Sequence, residues 1–216
     1  MKKNIIKLCV VFCLLILSLQ TLVSCASTKK PDPDFIADFD EFELGQIMAL
    51  SKQPLFKPKP LEVNVSFDPR ESRYILSFKT MGEKVKLTFS QKESASFFSG
   101  IDSYLAQNEA KTFEKNHKPK MSNKYQSGTV NVAWGMISHG RKVSAPYYTN
   151  YENIENKPYF LLFVTSMDYP EEKLVTSPYV YLYVTPNQLQ ALKEMTDMTF
   201  IMSKIDQLEE ATFGFE

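Results

Sequence analysis

The sequence predicts an α+β fold of two tandem β-β-β-α units, residues 62–107 and 129–199, whose antiparallel strands carry helices packed on one face. Three observations lead there. Strand-like segments recur in the same order along the chain. Each set of three ends in a helix-start signal. Of the 216 residues, 44% are hydrophobic, enough for a buried core.

The recurring segments match pairwise. Val63–Phe67 matches Val130–Trp134 at an offset of 67, Tyr74–Thr80 matches Tyr159–Thr165 at 85, and Val85–Ser90 matches Val180–Thr185 at 95. Rising offsets describe the same order with longer loops in the second copy. Each segment alternates or runs apolar and is rich in Val, Phe and Tyr, which favours strand.

Before the first unit, Phe42, Leu44, Ile47, Met48 and Leu50 suggest a helix over 39–50, ended by Pro54. Asp38, Asp40, Glu41 and Glu43 would then sit at its start, where carboxylates favour the helix dipole. After the third segment of unit one, Ser90 and Glu93 form a capping box, and Phe97, Ile101, Tyr104 and Leu105 share a helical face. In unit two, Thr185 and Gln188 repeat that cap with Pro186 at the first helical position, ahead of Leu189, Leu192 and Met195. The lysine-rich stretch 108–127 joins the units, and 199–208 extends or follows the last helix. Residues 135–158 read as a long loop.

The N-terminus carries an address. Lys2 and Lys3 precede an apolar run, Leu8–Leu19, broken only by Ser18, and Leu22-Val23-Ser24-Cys25 closes it. This segment resembles bacterial lipoprotein precursors, whose lipobox ends on the cysteine that is lipidated. The resemblance implies a signal peptide over 1–24, palmitate or a similar acyl group on Cys25, and attachment to the cell membrane or outer membrane. Neither residue after Cys25 is acidic, which by the sorting rule of some bacteria favours the outer membrane. An uncleaved anchor is the weaker alternative, because twelve apolar residues fall well short of the roughly 20 that span a bilayer. Plain secretion would want an A-x-A-like site, and Val23-Ser24-Cys25 offers a poor one. Residues 25–38, polar and broken by prolines, form a tether, and 39–216 form the domain.

Loss of 1–24 removes Lys2, Lys3 and Lys7 and no acid from a chain with 25 basic and 25 acidic residues, leaving 192 residues at net −3. A weakly acidic domain gives no reason to expect nucleic acid as a partner. With Cys25 lipidated and Cys9 and Cys13 removed, no thiol remains for disulfides or metals. Strand-rich units each closed by a helix also resemble PUR repeats and whirly-type single-strand binders, through Ile75–Lys79 and Lys84–Thr88. That resemblance implies basic and aromatic sheet residues, but Phe160–Val164 and Tyr179–Val184 carry no basic ones.

Chemistry finds few footholds. No G-x-S-x-G, G-x-G-x-x-G or P-loop motif occurs, and no cofactor is expected. His117 and His139 lack partners at metal-ligand spacing, so no metal is expected. Ser138 and His139, adjacent on a strand, would point to opposite faces and form no dyad. Recognition has better candidates. Tyr147, Tyr148 and Tyr151 lie among Ser, Thr and Asn, the composition of adaptable binding loops. Tyr179, Tyr181 and Tyr183 alternate with Val180, Leu182 and Val184, so one strand face is tyrosine and the other, aliphatic face should meet the helices. The expectation is a lipid-anchored envelope protein that binds or scaffolds an envelope protein or polymer. An envelope hydrolase and a homodimerising structural lipoprotein are the alternatives.

Overall fold

The computed structural model describes residues 40–52, 57–80, 82–137 and 139–213. The segments read as signal peptide and tether, with Cys25, Asp38, Pro54 and Ser138, lie outside the described residues. Eight strands form a closed antiparallel barrel: β1 Phe42–Ser51, β2 Lys59–Asp68, β3 Arg73–Thr80, β4 Glu83–Phe89, β5 Gln126–Gly135, β6 Arg141–Ile154, β7 Lys157–Val164 and β8 Val180–Val184. Among the described residues three α-helices accompany it: α1 Gln91–Ala110 after β4, and α2 Pro186–Met195 and α3 Met198–Phe213 after β8. Each strand pairs with its chain neighbours, and β1 pairs with β8. Among the described residues, no helix is long and apolar enough to cross a membrane.

This overturns the tandem β-β-β-α reading: the strands form one closed barrel, with no open sheet bearing helices on a face. Two strands escaped the sequence, each for a local reason. The segment read as a helix over 39–50 is β1. Its register shifts between Glu43 and Gly45, and the bulge puts core residues Leu44 and Ile47 three apart, imitating helical spacing. The acidic run therefore caps no helix. Asp40 pairs with Arg70 at 3.0 Å, and Glu41 pairs with Lys86.

The segment read as the 135–158 loop is largely β6, fourteen residues long, hydrogen-bonded on both sides. Pro146 sits one residue beyond the last β6–β7 pair, Tyr147 with Val164. Its carbonyl accepts the Thr165 N–H at 2.9 Å, but with no N–H of its own it cannot return the bond, and the β6–β7 ladder ends there. Glu155 and Asn156, both at positive φ, then turn β6 into β7 through the two-residue hairpin that pairs Ile154 with Lys157.

Inward side chains fill the barrel. Val63, Val65, Leu76, Val85, Leu87, Val130, Val132, Phe160, Leu162, Leu182 and Val184 belong to one buried cluster. Both α1 and α2 leave from the same mouth and close it. Phe97 of α1 stacks on Phe89 at 4.8 Å, Tyr104 meets the edge of Phe160 at 5.6 Å, and Leu189 and Leu192 of α2 join the cluster. Close approach of α1 depends on Gly100, where a Cβ would collide with the buried Thr149 side chain. At the other mouth, Tyr169 packs edge-on to Trp134 at 5.7 Å. The cavity between the barrel core and these helices, lined by Ile47, Phe97, Phe160 and Leu189, holds only about 10 Å³, too little for a ligand.

Both helix caps do more than cap. Ser90 accepts the Glu93 N–H, and the Glu93 carboxylate accepts the N–H of Thr129 on β5 at 3.1 Å. Thr185 accepts the Gln188 N–H, and the Gln188 side-chain carbonyl accepts the N–H of Met48 on β1 at 2.6 Å. Thr129 lies beyond the last β4–β5 pair and Met48 beyond the last β8–β1 pair. Each third helical residue thus satisfies the strand donor exposed where the preceding strand gives way to a helix.

Candidate functional site

With the interior filled, recognition falls to the outer surface. The six candidate tyrosines divide there. Tyr147 and Tyr151 point inward and are buried: the Tyr147 hydroxyl donates to the Glu93 carbonyl, and Tyr151 accepts the Glu114 N–H. Tyr151 also stacks on His117 at 3.8 Å, and the His117 ring meets the Asn150 side-chain oxygen at 2.8 Å. Asn150 in turn donates to the Lys120 and Asn123 carbonyls, and Asn153 donates to those of Glu114 and Lys115. The polar, tyrosine-rich composition of this segment is spent on holding down the 111–125 connection.

The other four share the outer face of β6, β7 and β8. Register puts Tyr148, Phe163 and Tyr181 in one cross-strand row. Their rings touch: Tyr148 lies 4.9 Å from Phe163, Phe163 lies 4.8 Å from Tyr181, and Tyr179 extends the strip at 6.4 Å. Tyr179 is 56% exposed and the other three are partly exposed. The next row, Leu161 and Tyr183, is closed off at 1% and 0% exposure. Lys52, just past β1, and Glu152, on β6, meet at 3.1 Å from either side of β7 and β8, and Glu152 also accepts the Tyr183 hydroxyl at 2.7 Å. Burial, then the bond to Glu152, raises the Tyr183 pKa, so this phenol stays a donor. Burial also raises the Tyr148 and Tyr181 pKa values. The strip is therefore uncharged, and its one ion pair is internally satisfied.

A second outer feature lies across β3, β4, β5 and β6. A groove of about 560 Å³ is lined by Arg73, Lys86, Thr88, Asn131, His139 and Lys142, with Glu41 and Asp68 at its rim. The His139 pKa is lowered by burial and then by Lys86 and Lys84. Among the described residues, no group of three or more His, Cys, Asp or Glu is placed to hold a metal ion.

A family match covers both faces. The chain belongs to the family described as "Uncharacterised Treponema protein", which matches residues 35–203. That span holds every strand, α1 and α2. No curated protein and no solved structure matches the chain. In this Treponema family member, sequence reasoning missed Phe163, Lys52 and Glu152 as parts of the aromatic strip. Phe163 was legible: it falls on the opposite parity to Phe160 and Leu162, which puts it outside once β7 is known to be half-buried. Lys52 and Glu152, 100 residues apart, meet only because the barrel closes.

Proposed function

We propose that this protein is a lipid-anchored envelope lipoprotein, held through Cys25, whose outer β6–β8 face binds an uncharged, polyhydroxylated envelope polymer. The observation that carries this is the aromatic strip on a barrel with no usable interior. Tyr148, Phe163, Tyr181 and Tyr179 form a continuous row of ring faces and hydroxyls, and Lys52 and Glu152 beside it pair with each other. Ring faces pack against the C–H faces of sugars, and phenol hydroxyls exchange hydrogen bonds with theirs. The rigid strands that display the rings keep the ordering cost of binding low.

Two experiments test the two halves of this reading. Radiolabelled palmitate should enter the wild-type protein and leave it membrane-bound, while Cys25→Ala loses both label and retention; an unlabelled wild type would overturn the anchor. Purified insoluble envelope polymer should co-sediment the protein, and Tyr148→Ser with Tyr181→Ser should abolish this. Equal binding by that variant would remove the strip from the function. A stable dimer in light scattering that the same variant dissolves would make the strip a self-association surface instead.

A further inference from the structure

We propose that the groove across β3–β6 is a separate binding site for a phosphate monoester carried on a small polyhydroxylated group. Its floor follows from strand register. One cross-strand row runs Ile75, Thr88, Asn131, Ser144, and the next runs Ser77, Lys86, Ala133, Lys142. A hydroxyl and amide row therefore lies beside a lysine row, over a floor that Ile75 (2% exposed) and Ala133 close. The volume, about 560 Å³, falls within the range of small-molecule sites.

Charge sets the ligand class. His139 faces Lys84 and Lys86 from β4, Lys142 from β6, and the single carboxylate of Glu41 leading into β1. Glu41 is already engaged by Lys86, whereas Lys84 and Lys142 have no ion pair among the described residues. Of the other charges, Arg73 pairs with Glu71, while Asp68 accepts the Arg70 N–H at 3.1 Å and keeps its negative charge. Three lysines against the carboxylates of Glu41 and Asp68 leave the site net positive, with Lys84 and Lys142 placed to pair with the oxygens of a phosphate monoester, an anion at neutral pH. Thr88, Asn131 and Ser144 supply the donors and acceptors that hydroxyls on the same ligand would use. The depressed His139 pKa fits this surplus of positive potential, and a bound dianion would push it back up.

The ligand could be a free solute or a lipid headgroup, and both carry the same chemistry. The test follows the ring protons of His139 by NMR, with His117, stacked inside on Tyr151, as the reference. Three probes are titrated into the purified protein: glycerol 3-phosphate, vesicles of phosphatidic acid in phosphatidylcholine, and phosphatidylcholine vesicles alone. Saturable movement of His139 with glycerol 3-phosphate, and a raised His139 pKa, identify a solute site. Movement with phosphatidic acid vesicles only identifies a headgroup site. Lys142→Gln, at an exposed position without an ion pair, should fold normally and weaken either interaction about tenfold or more, as loss of a charge-assisted bond does. No saturable shift with either phosphate probe, or equal affinity in Lys142→Gln, would overturn the site.

Discussion

On the side of β6, β7 and β8, the outward residues are Tyr148, Phe163, Tyr179 and Tyr181. On the side of β3, β4 and β5, they are Ser77, Lys86, Thr88 and Asn131. Behind both sides the inward residues are the same kind, Val, Leu and Phe, in one continuous cluster. Strand alternation allows this separation, because each second residue is committed to the core and the one between is free. β6 shows it within one strand: it gives Lys142 and Ser144 to the groove, then Tyr148 and Glu152 to the strip. The comparison teaches that the inward parity of each strand carries the core, while the outward parity carries the surface chemistry except where Ile75, Leu161 and Tyr183 are buried too.

Substitutions of opposite parity should therefore behave differently. The largest effect should come from Phe160→Ala, which removes the ring packed against Phe97 and Tyr104; it should cost about 3–5 kcal/mol in urea unfolding. Gly100→Ala should follow at about 1–3 kcal/mol, because its new Cβ meets Thr149, which is itself fully buried. Next comes Glu93→Ala, which leaves the Thr129 N–H without its acceptor, at about 1–2 kcal/mol. Tyr181→Ser, on the outer parity, should shift the unfolding midpoint least, by about 1 kcal/mol or less, while removing polymer binding. A Tyr181→Ser variant as unstable as Phe160→Ala would break the comparison.

Titration sharpens it further. The phenols of Tyr104, Tyr125 and Tyr183 titrate well above their ordinary value of 10.0, chiefly through burial. Above pH 10 the unfolded chain loses these protons first, so stability should fall as pH rises, and unfolding should accompany phenolate formation in absorbance. His139 has the opposite sign. Its native pKa lies below 6.5, so the unfolded state binds more protons as pH falls through that range, and stability declines. This slope should be the smallest effect of the series, and His139→Gln should flatten it.

The sequence carried the inward parity of most strands plainly. Val63, Val65 and Phe67 alternate, as do Val85, Leu87 and Phe89, and both helix caps stand where Ser90 and Thr185 announce them. It concealed what a single bulge or proline disguises. The shift at Gly45 turned the β1 alternation into helical spacing, and β6, interrupted by Pro146 where its ladder with β7 ends, reads as a polar loop. With β1 and β6 unread, closure could not be seen, since β1 is the strand that joins β8. The strip was half legible for the same reason. Tyr181 and Tyr183 share a parity in β8, with Tyr179 just before it, whereas Tyr147 and Tyr148 could not be told apart without the β6 register. Contacts such as Lys52 with Glu152 leave no local trace.

The most direct test sets the two outer faces against each other in one assay: co-sedimentation with insoluble envelope polymer of wild type, Tyr148→Ser with Tyr181→Ser, and Lys142→Gln. The aromatic variant should remain in the supernatant while wild type and Lys142→Gln pellet alike. Retained binding in the aromatic variant, or its loss in Lys142→Gln, would contradict the assignment of polymer recognition to the tyrosine face.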